Sequence, residues 1–318
     1  MYGRFLAALM IALAFVAMIA MAMAATAATA STAPRQVGVA QEMPDLRTAA
    51  AMRRALRWAA LGNGGHVAAV TLASPGAAAL RVGLRIGELP ESTRLRFSGP
   101  DDRAPIEVSG ARVLAALARN SDAGETGGAA RTWWSPVVAG PSMVMEIELA
   151  PGIDPQAVVL TAPLVSHLTL DLRAELASLR ASGDAAGAVA VYTLDGATYA
   201  CPGVLVAPST APAARPYFLT ARRCIASQSA ASSMELFRDA GGSDGAASDA
   251  CSGASLLYAA ARTDTAFLAL DTPPPGDGAY ARWAAGDAKA ARALDPALEQ
   301  WLGAGVARTA ASASFSLP

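Results

Sequence analysis

Two cysteines and one carboxylate mark the part of this 318-residue chain where chemistry-bearing residues gather. Cys201 and Cys224 each lie on a pattern typical of a strand, and the second pattern ends in residues 220–224 (Thr-Ala-Arg-Arg-Cys). Asp264 follows, just before another strand-like segment. A guanidinium keeps its proton at physiological pH, so Arg223 can hold a carboxylate but cannot act as a general base.

A base and a nucleophile are hard to find elsewhere in the sequence. The chain has two histidines, His66 and His167, and both precede the cysteine-bearing segment. No Gly-Asp-Ser-Gly motif follows Asp264, and residues 242–245 (Gly-Ser-Asp-Gly) are a rearrangement of it in a loop-like stretch. The third cysteine, Cys251, leaves one thiol over. Because no CxxC or Cys/His cluster occurs, we expect no structural zinc and no cofactor.

The composition predicts a folded chain whose surface has no strong excess of one charge. Hydrophobic residues make up 53% and charged residues 16%, and 318 residues are enough for two domains. The formal net charge is -1, so no excess of positive charge is available to bind nucleic acid or anionic lipid. We therefore expect no nucleic acid as partner.

The N-terminus predicts export. Arg4 precedes an apolar run over 5–25, and the small residues at 22–24 and 28–30 each fit a cleavage site. We predict a signal peptide over 1–25 and a secreted or periplasmic protein, in which disulfides can form. The alternative is an uncleaved membrane anchor, since about 20 apolar residues can span a bilayer.

Residues 26–170 divide into a linker and a β-rich domain. Residues 26–44 are small, polar and proline-containing, which predicts a flexible linker. The domain over 45–170 begins with an amphipathic helix over 46–61, stopped by the glycines in 62–65. Sequence patterns predict strands over 67–72, 79–86, 93–97, 143–149, 158–160 and 164–170, a short helix over 110–119 and a loop over 120–130.

Two side-chain groups in this domain could bind a ligand, but simpler roles are favoured. Trp133 and Trp134 are adjacent, so on a strand they face opposite ways and at least one belongs to the core. The arginines of the first helix are predicted to form a solvated face; they are Arg47, Arg53, Arg54 and Arg57.

A second β-rich region begins after a predicted helical linker over 171–187. Its strand patterns surround Asp195-Gly196, a strong hairpin signal. Residues 239–250 are rich in Gly, Ser, Ala and Asp, which predicts a surface loop, and residues 288–318 are predicted to be helical and irregular. The fold class predicted for the whole chain is mainly β.

Residues 188–287 resemble the first half of a trypsin-like serine protease, and in particular the secreted bacterial lysyl endopeptidases. The matching pieces occur in the family's order: the cysteine strand at 199–206, the histidine motif at 216–224, the aspartate segment at 263–270, and 274–276 with 281–283. Upstream, residues 133–138 and 165–168 resemble the precursor region of that family. The resemblance implies a small, β-sandwich-like N-terminal domain over 45–170 and a partial trypsin-like β-barrel over 188–287.

The resemblance also assigns roles. Asp264 takes the position of the catalytic aspartate, and Arg223 occupies the position of the histidine, which implies an ion pair between them. Cys201 and Cys224 match cysteines that form a disulfide in the family. Cys251 matches a cysteine whose partner has no counterpart here, because residues 1–200 contain no cysteine. With 54 residues after Asp264, we expect no complete second barrel and no serine motif.

Three functional hypotheses follow. The first is a secreted pseudoprotease, a non-catalytic relative of trypsin-like serine endopeptidases that binds a peptide or a protein. The second is a serine-type endopeptidase acting through unrecognised residues, which would need a nucleophile and a base within hydrogen-bond reach. The third is a decayed or truncated product without function, whose unpaired strand edges would make it fold poorly.

Overall fold

The computed structural model describes residues 34–102, 104–169, 187–207, 216–237, 251–273 and 280–282, and from Arg35 on they belong to one compact unit. The predicted mainly β class is confirmed. The strands are β1 Arg35–Glu42, β2 Ala59–Ala60, β3 His66–Ala73, β4 Ala79–Glu88, β5 Arg94–Ser98, β6 Ile106–Ser109, β7 Thr132–Trp134, β8 Val138–Ala139, β9 Ser142–Leu149, β10 Val159–Leu168, β11 Gly187–Leu194, β12 Ala197–Ala207, β13 Tyr217–Ala221, β14 Glu235–Phe237, β15 Cys251–Ser252, β16 Ala254–Ala260, β17 Thr265–Leu270 and β18 Ala281–Arg282. The helices are α1 Ala49–Ala55, α2 Gly110–Asp122 and α3 Gln228–Ser232, and 3-10 turns cover Pro44–Leu46 and Pro155–Ala157.

One antiparallel sheet, in the order β2-β3-β9-β5-β6, lies entirely within residues 35–169, which we call the N-terminal segment. The strand predicted over 143–149 is confirmed as β9, and its residues are buried alternately. Met145 and Ile147 are fully buried, whereas Val144 is 38% exposed. On the outer face Arg96 bonds the neighbouring Glu146 at 2.6 Å, so unlike charges pair across the strands.

The prediction of a flexible linker over 26–44 is wrong for residues 35–42. These residues form β1, which pairs with β10 on one side and with β12 on the other. The buried Val37 anchors the strand, and its backbone groups find partners on both edges. The small polar side chains of this segment do not predict a strand. The strand forms because it pairs with β10 and β12, which lie far along the chain.

The helices and the longest strand of the N-terminal segment differ in length from expectation. The helix expected over 46–61 is α1 alone, because the backbone turns extended at Leu56. The helix expected over 110–119 continues to Asp122, capped at its start by the Ser109 hydroxyl. The strands expected over 158–160 and 164–170 are one strand, β10, with a register shift between Thr161 and Leu164.

A second sheet joins the N-terminal segment to the described residues of 187–282, which we call the C-terminal segment. Within the latter, β11 and β12 form the predicted hairpin, and Asp195 and Gly196 both have positive φ as its turn requires. The sheet continues antiparallel from β12 through β13 and β17 to β16. β14 lies on the other edge of β11 and pairs with β15, which Gly253 separates from β16.

The remaining expectations divide by location. Trp133 and Trp134 are both buried, which exceeds the expectation for at least one, and the four arginines around α1 are exposed. The predicted signal peptide, the helical linker over 171–187 except for its last residue, the loop over 239–250 and the 288–318 tail lie outside the described residues. None of the described helices has the length and apolar character needed to cross a bilayer.

Candidate functional site

The site is positioned by β13, which lies between β12 and β17. Five consecutive residue pairs join β13 to β17, from Tyr217 opposite Ala269 to Ala221 opposite Thr265. This register places Asp264, which directly precedes β17, beside the turn that follows β13. The Ala221 carbonyl accepts hydrogen bonds from the backbone N–H groups of Cys224 and Ile225, which closes that turn.

Asp264 holds the turn through its backbone and its side chain. Its carbonyl accepts from the Arg222 N–H at 3.0 Å, and its Oδ1 accepts from the Arg223 N–H at 2.8 Å. The backbone of Asp264 has a φ of 49°, which is a left-handed conformation. Asp and Asn adopt it more readily than other residues except Gly. The carboxylate is therefore fixed in orientation by the fold.

The expected Arg223–Asp264 ion pair is present. The Arg223 guanidinium contacts Asp264 Oδ2, the carboxylate oxygen that the backbone N–H leaves open. The two side chains are 41% and 36% exposed, so water screens their attraction. Such an exposed pair stabilises a fold by about 0–1 kcal/mol. The pair therefore occupies the site without fixing it rigidly.

The expected disulfide between Cys201 and Cys224 is also present. It joins β12 to the turn after β13, with Cα atoms 6.1 Å apart and both residues buried. The turn that carries Arg223 is thus tied covalently to the sheet. Cys251 belongs by its backbone to β15 instead of a loop, and its side chain lies outside what the structure describes.

Neither histidine lies at this site, because His66 is on β3 and His167 is on β10. His167 Nδ1 is 2.7 Å from the Ser74 hydroxyl, a spacing that suits a nucleophile and its base. Ser74, however, is 1% exposed and donates its hydroxyl proton to Gln41. In a catalytic triad the third group orients the histidine, whereas here it binds the serine, so this arrangement is structural.

A glutamate of the N-terminal segment binds the helix beside this site, and no sequence pattern predicts that contact. The Glu125 carboxylate accepts hydrogen bonds from the backbone N–H groups of Gln228 and Ser229, at the start of α3. Ser227 caps the same helix with its hydroxyl. Serine before a helix is a recognisable cap, but a glutamate from a distant loop has no sequence signature.

The described residues form no metal site. The cavity at the boundary between the N-terminal and C-terminal segments is small. No group of three or more His, Cys, Asp or Glu side chains among them could hold a metal ion. A cavity of about 20 Å³ lies between Arg81, Trp134, Ser233 and Asp271. That volume suits a single water molecule.

Comparison with known proteins identifies the family. The model of the lysyl endopeptidase N-terminal domain matches residues 11–169, and that of the lysyl endopeptidase C-terminal domain matches residues 173–295. The lysyl endopeptidase of Pseudomonas aeruginosa is 28% identical over an alignment of 293 residues, and the match covers 79% of this chain and 58% of that protein. The chain thus spans somewhat over half the length of this curated relative. No solved structure matches. The two family models together span most of the sequence, and the chain belongs to the lysyl endopeptidase family of serine endopeptidases.

Proposed function

We propose that this chain is a non-catalytic member of its family, whose C-terminal segment binds a peptide or a protein instead of cleaving one. The observation that carries this proposal is the pairing of Arg223 with Asp264, at the position where the family resemblance places a histidine. Export through a signal peptide over 1–25 is part of the same proposal.

The chemistry of the pair supports an inactive site. In trypsin-like proteases histidine takes a proton from the attacking serine and passes it to the leaving group, and aspartate orients the histidine. Arg223 cannot accept a proton, because the guanidinium is protonated at any physiological pH. Loss of one triad member lowers kcat by about 10⁴- to 10⁶-fold.

The surroundings of Asp264 support the same conclusion. Its two carboxylate oxygens already bind the backbone N–H and the guanidinium of Arg223. The partial exposure of both side chains leaves the turn after β13 and the start of β17 within reach of a peptide. The alternative, a peptidase using other residues, is disfavoured by the buried and occupied hydroxyl of Ser74, the serine that the structure places against a histidine.

A two-part experiment tests the proposal on the purified chain. We expect no hydrolysis of a lysyl peptide substrate above buffer and no covalent labelling by a fluorophosphonate probe. Labelling of the chain, or turnover that a serine-reactive inhibitor abolishes, would show an active enzyme and contradict the proposal.

Peptide binding, the second part of the proposal, is tested with a fluorescein-labelled, lysine-containing decapeptide. Lysine is included because the relative is named a lysyl endopeptidase. We expect a rise in fluorescence anisotropy at micromolar protein while mass spectrometry finds the peptide intact. Asp264→Val, which strains the turn, is expected to weaken this binding, and Arg85→Met on the distant β4 is the matched control. Equal binding by both variants would place the peptide elsewhere.

A further inference from the structure

A buried arginine crosses the boundary between the two segments. Arg81 lies on β4 of the N-terminal segment and is 1% exposed. Its guanidinium donates to the Ser135 carbonyl at 2.7 Å, to the Thr193 hydroxyl at 2.8 Å and to the Ser233 carbonyl at 2.7 Å. Two of these three acceptors, Thr193 and Ser233, belong to the C-terminal segment. Acceptors of the C-terminal segment therefore take the place of water around the Arg81 guanidinium.

A buried carboxylate crosses the boundary in the opposite direction. Glu235 begins β14 of the C-terminal segment and is 2% exposed. It accepts a hydrogen bond from the Val137 N–H of the N-terminal segment at 2.8 Å. Burial lowers the pKa of Arg81 to about 10, and attraction to Glu235 opposes that shift. Each segment thus buries one ionisable side chain that forms a hydrogen bond with the other segment.

Hydroxyl groups continue this polar contact across the sheet. The Thr193 and Thr198 hydroxyls are 2.7 Å apart, and Thr198 is 2.6 Å from the Ser166 hydroxyl on β10. Thr198 and Ser166 are fully buried, so no water is needed to satisfy them. The contacts form a continuous chain from Arg81 through the C-terminal hairpin and back to the N-terminal segment.

Apolar packing and strand pairing surround these polar contacts. One core cluster combines residues of both segments: Val37, Ala79, Leu168, Val189, Val191, Ala200 and Phe237. β1 adds a backbone ladder, since it pairs with β10 and with β12. Buried apolar area supplies most of the affinity in such contacts, and buried charge pairs supply the selectivity.

We infer that the N-terminal segment is a permanently docked half of this protein, held on the C-terminal segment by the buried hydrogen bonds that Arg81 and Glu235 each make across the boundary, and that it stays bound when the chain between them is cut. The Arg223–Asp264 site is partly exposed with the N-terminal segment in place, so a ligand can reach it without release of that segment. The docking holds whether or not the site is catalytic.

The test uses the full chain with a recognition sequence for a site-specific protease inserted between residues 170 and 186. After complete cleavage, the two pieces are expected to elute together in size exclusion at the volume of the uncut protein. This co-elution should persist on dilution to about 1 µM, because interfaces of this kind reach nanomolar affinity. Separate elution of the pieces at that concentration would overturn the inference.

Variants of the cleavable chain test the role of Arg81. Arg81→Met is expected to weaken association at least about thirtyfold, because it removes the two charged hydrogen bonds to Thr193 and Ser233 of the C-terminal segment. Arg85→Met is the matched control, since Arg85 lies on the same strand and is exposed. Association of the Arg81→Met chain as tight as that of the control would contradict the role of Arg81.

A milder substitution covers the case in which Arg81→Met does not fold. Thr193→Val keeps the side-chain shape but removes the hydroxyl that accepts from Arg81 and bonds Thr198. We expect about fivefold to thirtyfold weaker association, since one hydrogen bond to a charged group is lost. Unchanged association of the Thr193→Val pieces would show that the hydroxyl chain does not hold the segments together.

Discussion

Two arginine–carboxylate pairs in this protein differ in their surroundings. Arg223 and Asp264 contact each other and are 41% and 36% exposed, whereas Arg81 and Glu235 each form a hydrogen bond across the segment boundary and are 1% and 2% exposed. Water screens the first pair, which makes it weak and replaceable. The second pair is buried away from water, so each side chain depends on hydrogen bonds with the other segment. Similar residue types thus give an adaptable surface in one place and a fixed boundary in the other.

The largest effect is expected from removing the buried Arg81 side chain. Arg81→Met should lower the free energy of unfolding by about 3–5 kcal/mol, because three buried acceptors lose their charged donor. Chemical denaturation followed by circular dichroism measures this change. Arg85→Met should stay within about 0.5 kcal/mol of the parent chain. A loss for Arg81→Met no greater than that of the control would remove the contrast between the two contacts.

The next effect comes from the covalent tie beside the exposed contact. Replacing both Cys201 and Cys224 by alanine should lower the free energy of unfolding by about 3 kcal/mol, since the bridge closes a loop of 23 residues. Added reductant should destabilise the parent chain and leave the double variant unchanged. If reductant affects both chains equally, Cys201–Cys224 is not the bridge that matters.

A smaller effect separates the charge of Asp264 from its backbone conformation. Asp264→Asn should change the free energy of unfolding by less than about 1 kcal/mol, because the pair is exposed and Asn tolerates positive φ. Asp264→Val should cost about 1–3 kcal/mol, since a β-branched residue is strained there. Thermal melts of the two variants compare them directly. A larger loss for Asn than for Val would show that charge dominates.

The smallest expected effect is the pH dependence of stability that the buried Glu235 carboxyl causes. Burial raises the pKa of Glu235, while Arg81, the Val137 N–H and Arg112 act to lower it. A carboxyl whose pKa is raised by folding stabilises the protein below its unfolded pKa, and this contribution is lost as pH rises through the folded value. The melting temperature of Glu235→Gln relative to the parent should therefore increase from about pH 4 to pH 8. A constant difference would mean that Glu235 does not titrate in this way.

The predictability of each region follows from how local its determinants are. The turn at 221–224 and the hairpin at Asp195-Gly196 depend on nearby residues, so motif and turn chemistry placed them correctly. The Arg223–Asp264 contact and the disulfide followed from the family resemblance.

The boundary between the segments could not be predicted from local patterns. On β4 the residues Leu80, Val82 and Leu84 alternate with Arg81, which reads as a strand with one face in water. In the structure the C-terminal segment covers that face, so Arg81 is buried by residues more than a hundred positions away. β1 was not predicted for the same reason, since the strands that pair with it, β10 and β12, lie far along the chain.

The position of β1 sets a limit on the order of assembly. Gly38 pairs with Leu168, and Arg35 pairs with Ala200, so the first described strand waits for residues synthesised long after it. Contacts so distant in sequence slow folding, because a long loop must close before any of them forms. During synthesis the N-terminal segment would expose an unpaired strand edge until residue 200 has emerged.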